Sequence, residues 1–397
     1  MTKACPCQVW VFYRETGLSF FLVSNAEVQR NNHVSQLPQT DKSSVSQQEG
    51  PSTPRRVYCL SEDRPGAEIG LRLAIVSLRR YCPEARVFLY RPGISAGFRK
   101  WLLELGGVEI EEGTPKGARS WSCKPQAMLP LLSRGFDEVV WLDSDILVER
   151  CLDALVDPVS PDVLVIARDT PVIVVGEYTI ESRTLGWGLE VGRRMPLTLN
   201  SCFMRVTRHH VSLMQAWKEL MDDPRYVCQQ ELPLVDRKVG FISDQEVLNA
   251  LLGSLRYAEV PMYVLGLGSE LIHSAGALSF SFGDRLRCIG SGRPYLIHAV
   301  TGKPWVILNP AYPRNRRDRL TQLCSEVSPY VRVARRYRDQ LPSEESQWLR
   351  FRTIWGRLLD AAALGWIPLA GWPLLVLVTC LGKLSTTIRS VRAGRQI

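Results

Sequence analysis

Asp143 and Asp145 stand one residue apart in the run Val139–Val148, VVWLDSDILV, whose remaining members are apolar apart from Ser144. Val139 to Leu142 show none of the apolar–polar alternation of a half-wet strand, so they predict a strand covered on both faces. Alternate residues of a strand point to the same side. That reading aims both carboxylates one way and Ser144 another. Two like charges so close need a cation or water between them. Their oxygens suit Mg2+ or Mn2+, ions that keep positions open for substrate phosphates. The plain alternative is a pair of turn or cap carboxylates. The apolar setting favours the metal, because a turn cap needs no pair of charges set into a buried run.

The elements that would position this pair alternate in type. VYCL (Val57 to Leu60) reads as a buried strand and EIGLRLAIVSLRRYC (Glu68 to Cys82) as a helix, with Ile69, Leu73 and Val76 at helical spacing. ARVFLY is a second strand, FRKWLLELGG a helix with a glycine stop, and VEIEE a short third strand. KPQAMLPLLSRG reads as helical despite Pro130, ending at Gly135. Strands alternating with helices predict βαβ units: an α/β class with a mainly parallel central sheet and helices on both faces, related to the Rossmann architecture. Ligands of such sheets bind where loops leave the carboxyl ends of the strands. Glu62 and Asp63, the loop near Lys116, and Asp143 with Asp145 are therefore expected along one edge.

Composition bounds the remainder. The chain has 397 residues, 45% of them hydrophobic, enough for one large domain with appendages. The net charge is +9, but residues 314–397 hold fifteen basic and six acidic residues, so the first 313 are neutral overall. A neutral body argues against nucleic acid as a partner, and the basic runs RNRRDR and RVARRYR come with no reader module. The eleven cysteines include no CxxC pair and no zinc-finger spacing, which reads as small core residues in a reducing compartment. LSFFLV (Leu18 to Val23) is short and follows Arg14 and Glu15, unlike a secretion signal. Residues 24–54, rich in Ser, Gln, Asn and Pro, carry too little apolar surface to offset ordering. The division expected is a disordered leader over 1–54, a catalytic domain over 55–313, and a basic helical region over 314–397.

VVWLDSDILV resembles the D-x-D segment of GT-A glycosyltransferases, in which a divalent metal holds the diphosphate of a nucleotide sugar. Three later stretches are similar to one branch, the glycosyltransferase family 8 enzymes related to glycogenin and bacterial galactosyltransferases. LNSCFMRV (Leu199 to Val206) resembles their N-x-G-hydrophobic strand, SDQEVLNALL (Ser243 to Leu252) their DQ-D-x-LN helix start, and IHAVTGKPW (Ile297 to Trp305) their H-x-x-G-x-x-K-P-W loop. The order along the chain also matches, over about Arg56 to Trp305. Three positions depart from the pattern. His298 precedes Lys303 by five residues rather than six, Cys202 stands where a Gly or Ala is common, and Glu246 replaces Asp.

The resemblance implies a GT-A fold and roles for particular residues. His298 would be a third ligand beside Asp143 and Asp145, an imidazole that suits Mn2+; alternatively, backbone hydrogen bonds satisfy it. Lys303, next to Gly302, would steady the departing diphosphate; the plain alternative is a surface charge. Asp244 and Gln245 would hold the sugar, and Asn200 could contact it or merely start a strand. Ser243 and Glu246 also have the spacing of a capping box, which puts Asp244 and Gln245 at a helix N-terminus. From their place after the first strand, Glu62 and Asp63 could receive the base or ribose, as acidic groups do in other nucleotide-binding sheets; the plain reading is loop carboxylates facing solvent. Lys124 is a further candidate for nucleotide or sugar contact; the plain reading is a solvated lysine before a helix.

The C-terminal region poses a separate question. Trp348, Phe351, Trp355, Leu358, Leu359 and Ala362 share a face at helical spacing. Ala361 to Gly382 then carries no charge, although Pro368 and Pro373 interrupt it. An interfacial anchor on an anionic membrane surface, a spanning helix, and helices packed on the core all remain open. Together these readings predict a metal-dependent hexosyltransferase, retaining by resemblance, at the cytoplasmic face of a membrane. Its donor would be a nucleotide diphosphate sugar, and its acceptor a carbohydrate, a lipid-linked glycan or a protein. The rivals are a metal-dependent nucleotidyltransferase and a non-catalytic membrane-bound scaffold.

Overall fold

The computed structural model describes the strand backbones of 7–14 and 17–24 and then most of 55–381, leaving out 65, 117–121, 171–178, 301, 310, 312 and 314. The strands, in chain order, are β1 (Cys7–Arg14), β2 (Gly17–Ser24), β3 (Arg56–Ser61), β4 (Val87–Tyr90), β5 (Val108–Glu111), β6 (Glu138–Leu142), β7 (Ile146–Val148), β8 (Leu164–Arg168), β9 (Leu199–Thr207), β10 (Met262–Leu265), β11 (Leu271–His273) and β12 (Leu296–His298). β1 and β2 pair antiparallel. The rest of the leader expected over 1–54 lies outside the described residues.

Seven strands form the central sheet in the order β10-β8-β9-β6-β3-β4-β5. β4, β3 and β6 run parallel in sequence with β5, and β10 runs parallel to β8. β9 runs antiparallel to both of its neighbours, so the sheet is mixed but mostly parallel. The α/β class expected from the alternation of elements is the one observed.

The strands alternate their side chains between two apolar layers, as the period of two requires. Val57, Cys59, Val139 and Trp141 face one layer, with Met128 and Leu131 of the helix Lys124–Ser133 and Trp217 of the helix Val211–Asp222. Tyr58, Leu60, Val140 and Leu142 face the other, with Leu71, Ile75 and Leu78 of the helix Glu68–Tyr81. Burial on both faces explains why these strands read as unbroken apolar runs.

The aspartate run is not one strand. β6 ends at Leu142, and β7 belongs to a second sheet of order β11-β12-β7, where it pairs antiparallel with β12. Asp143, Ser144 and Asp145 form the turn between the sheets, closed by the Ile146 N–H donating to the Asp143 carbonyl at 3.2 Å. The two-residue repeat of a strand therefore does not set their direction; the crossing from sheet to sheet does. The helix Glu68–Tyr81 passes close beneath this turn. A Cβ built on Gly70 would lie 2.7 Å from both the Ser144 carbonyl oxygen and the Trp305 ring, so only glycine allows that approach.

Residues after 313 share the body's core. Tyr330, Val331, Tyr337, Trp348 and Ile367 pack with Leu73, Leu147, Ile297 and Trp305. Arg285 ties the chain down by donating to the carbonyls of Pro368 and Ala370 at 2.6 and 2.7 Å. The single helical face expected from Trp348 to Ala362 does not form, because helix starts only at Ile354 and Trp348 is buried in the core. Among the described residues, no helix is long and apolar enough to cross a membrane. The uncharged stretch from Ala361 breaks into a turn, with Leu364 at φ 48°, the 3-10 turn Ile367–Leu369 and a helix over 372–381.

Candidate active site

A cleft of about 300 Å³ opens at the carboxyl ends of β3 and β6 and the amino end of the antiparallel β9. Glu62, Asp63, Lys124, Asp143, Asp145, Asn200, Asp244, Gln245, His298 and Lys303 all line it. Gly302 lies beside the wall rather than in it, and near Lys116 it is Thr114 and Pro115 that reach the cleft. Segments as far apart in sequence as Ser61 and Lys303 thus meet at one edge of the sheet.

Asp145 is 2% exposed. Lys303 Nζ contacts its Oδ2, and His298 Nε2 lies 3.5 Å from its Oδ1. Burial opposes ionisation, but Lys303 and then His298 outweigh it and hold the carboxyl well below the usual range. Asp143 is more open. Its Oδ1 accepts from the Trp141 indole at 2.7 Å and lies 3.3 Å from Lys124 Nζ.

Lys124 is buried at the first position of its helix rather than solvated. Its Nζ donates to the Ser201 carbonyl and hydroxyl at 3.0 and 2.6 Å and sits 3.2 Å from Asp244 Oδ2. Burial works against its charge, yet Asp143 and Asp244 raise its pKa above the ordinary lysine value. Ser201 in turn donates to Asp244 at 3.0 Å. A buried ammonium thus ties the aspartate turn to the start of the helix Asp244–Gly253.

That helix start differs from the capping box expected of Ser243 and Glu246. The Ser243 side chain makes no cap hydrogen bond, and Glu246 turns inward to pair with Arg183. A buried guanidinium competes better for the carboxylate than a solvated amide does. Gln245 donates to Asp169 Oδ2, and Asn200 donates to Asp169 Oδ1, both at 3.1 Å. Asp169 went unread in the sequence because it carries no motif; its place just after β8 was the available signal. Glu62 is buried and accepts from the Arg64 backbone and guanidinium and from Ser144. Burial would raise its pKa, but Arg64 and Ser144 lower it overall.

His273 is the second residue missed. In the parallel pair of β11 and β12 it stands opposite His298. Its Nδ1 is 3.0 Å from His298 Nδ1, and its Nε2 is 2.7 Å from the Arg168 carbonyl. Burial, then repulsion from His298, pushes its pKa down to about 4, so the ring is neutral near pH 7 and donates from Nε2 to that carbonyl. His298 is shifted upward: burial opposes its charge, and the Cys202 sulfur and the Asp145 carboxylate more than offset it.

Asp143, Asp145 and His298 each offer a donor atom within 4.8 Å of the others. Two carboxylates and an imidazole make a donor set that fits Mn2+ or Mg2+. Lys303 now takes up the Asp145 charge that such an ion would share.

No protein-family model matches the chain, and no curated protein does. Solved structures of glycosyltransferases are similar to it. A complex of the galactosyltransferase LgtC with donor and acceptor sugar analogues aligns at 17% identity and a TM-score of 0.42, over 67% of this chain and 94% of that one. Mouse xyloside xylosyltransferase 1 aligns at 15% identity and 0.40, over 63% and 99%. The bifunctional glycosyltransferase WbbM aligns at 16% identity and 0.42, over 64% of this chain but about half, 48%, of its own length.

Proposed function

We propose that this protein is a metal-dependent glycosyltransferase that moves a hexose from a nucleotide diphosphate sugar to an acceptor hydroxyl. The observation that carries the reading is the meeting of Asp143, Asp145 and His298 with Lys303 in one cleft at the strand ends. When bound, Mn2+ or Mg2+ would neutralise the diphosphate leaving group. Lys303 adds a mobile cation beside the same oxygens. Glu62 and Asp63, after β3, are assigned to the nucleoside. Asn200, Asp244 and Gln245 are assigned to the sugar hydroxyls, with Asp169 and Lys124 holding them in place. A Cβ on Gly302 would come within 2.9 Å of the Ile307 Cδ1, so glycine leaves that side chain room beside Lys303. Retention of configuration is carried over from the family 8 resemblance.

The His-to-Lys spacing, one residue shorter than the family 8 pattern, is what a non-catalytic scaffold could tolerate. Lys303 nonetheless reaches Asp145, which supports chemistry over a vestigial site. The test is thermal stabilisation by UDP and by GDP, each with Mn2+ and with EDTA, on wild type and Asp145→Ala. A ligand specific to the native state raises stability by mass action. Metal-dependent stabilisation by one nucleotide, lost in the variant, supports the reading. No shift under any metal overturns it. Release of pyrophosphate rather than a nucleoside diphosphate would turn it into the nucleotidyltransferase.

In this reading residues 55–313 supply the chemistry and 314–397 bring it to an anionic membrane surface. Ile354, Trp355, Leu358, Leu364 and Trp366 are exposed, the tryptophans by 66% and 60%. Arg350, Arg352 and Arg357 are exposed among them along the chain. Exposed indoles beside cations suit a bilayer interface. A lipid-linked glycan is the acceptor that such a surface would present.

A further inference from the structure

We infer that Cys202, His273 and His298 form a second metal site, built for Zn2+. It shares His298 with the carboxylate site but uses the ring's other nitrogen.

Three strands from the two sheets bring the donors together: Cys202 from β9, His273 at the end of β11 and His298 at the end of β12. The sulfur and one ring nitrogen of each histidine lie within 4.8 Å of one another, and the two Nδ1 atoms are 3.0 Å apart. Tetrahedral Zn2+, with bonds of about 2.0–2.1 Å to nitrogen and 2.3 Å to sulfur, needs donor-to-donor edges of roughly 3.4–3.6 Å. To reach that geometry the two Nδ1 atoms must part slightly from 3.0 Å, with the sulfur, which lies within 4.8 Å, as the third corner.

The outer nitrogens are already engaged. His273 Nε2 holds the Arg168 carbonyl at 2.7 Å, and His298 Nε2 faces Asp145 Oδ1 at 3.5 Å. A carbonyl or carboxylate on the far nitrogen is how proteins orient metal-binding imidazoles. Here it leaves the two Nδ1 atoms facing each other at 3.0 Å, in the same cluster as the sulfur. All three residues are buried, Cys202 completely. A thiolate and two imidazoles are soft and borderline donors that select Zn2+ over Mg2+ or Mn2+, while the Asp143–Asp145 pair has the opposite preference. Binding displaces the Cys202 thiol proton and, from a protonated His298, the Nδ1 proton as well, both going to solvent. Occupancy would fix the His298 ring with Nε2–H toward Asp145 and, unless that proton is lost, withdraw Nε2 from the carboxylate site, so the two sites are coupled through this ring. The site does not depend on the transfer reaction.

The test is Co2+ substitution of the full chain, with zinc content measured after dialysis against Zn2+. Wild type should retain one equivalent of Zn2+ and, with Co2+, show a sulfur-to-cobalt charge-transfer band and tetrahedral visible bands. Cys202→Ser should lose the charge-transfer band. His273→Gln, kept as a second variant in case the first fails to fold, should weaken Zn2+ binding at least about tenfold. Asp143→Asn should keep the band. Cys151→Ser is the control, because Cys82, Cys151 and Asp153 also cluster. A folded wild type without the band overturns the proposal, as does a band that survives Cys202→Ser or disappears with Cys151→Ser. Nucleotide stabilisation by Mn2+, read separately, reports on the transferase reading alone, so the two can fail independently.

Discussion

Lys124 Nζ and Asp244 Oδ2 pair at 3.2 Å in the floor of the cleft, both side chains less than a tenth exposed. The same ammonium lies 3.3 Å from Asp143. Removing it leaves two carboxylates near each other with no cation between them. Breaking a buried pair from one side costs about 3–5 kcal/mol. Lys124→Met should therefore lower the unfolding free energy by about that amount in urea titrations without metal. If Mn2+ can replace the lost cation, part of the deficit should return when it is added. A variant as stable as wild type would show that the pair carries no weight.

The Gly70 approach makes a second prediction. Gly70→Ala forces a methyl group against the Ser144 carbonyl and the Trp305 ring. Overpacking of this kind costs about 1–3 kcal/mol. Because the displaced atoms flank Asp143 and Asp145, metal-dependent nucleotide stabilisation should fall by more than the loss in metal-free stability explains. Differential scanning fluorimetry with and without Mn2+ and nucleotide separates the two effects.

Acid stability offers a third. His210 and His273 are each pushed down to about 4 by burial, His210 also by Arg205 and His273 by His298. The unfolded chain then binds more protons than the native one between about pH 6.5 and 4. Stability is fully present above that window and falls as pH drops through it, by up to about 1.4 kcal/mol per pH unit for each histidine. His210→Gln, beyond the opposite end of β9 from Asn200 and hydrogen-bonded to Thr207 and Asp162, should flatten the slope by close to one proton. Asp145 acts lower still. Its depressed pKa adds stability that is present above the ordinary carboxylate value and is lost as pH falls below it.

The membrane reading has a direct check. Wild type should sediment with vesicles containing phosphatidylglycerol and much less with phosphatidylcholine alone. Trp355→Ala with Trp366→Ala should reduce binding several-fold, and rising salt should weaken it by screening the arginines. Concentration-dependent dimerisation with no vesicle binding would instead assign the patch to a second copy of the chain.

Much of the site was legible from the sequence because it is encoded locally. Asp143 and Asp145, SDQ at a helix start, and His298 with Lys303 each sit in short patterns, and unbroken apolar strands with carboxylates at their ends mark a sheet edge. What no local pattern could give was the partner of each group. Asp169 and His273 have no motif; they matter because β8 and β11 end beside β9 and β12. Glu246 has the spacing of a cap, but Arg183, 63 residues away, takes it. The aspartate run reads as one strand because apolar residues on both sides of a turn look continuous, and only the second sheet reveals the break after Leu142. The sequence by itself determined the α/β class, the two-sided burial of the strands and the types of donor available, since composition and period set these. The tertiary structure decided which donors converge, which are held by lysines and which meet across strands, because packing of segments distant in sequence sets those distances.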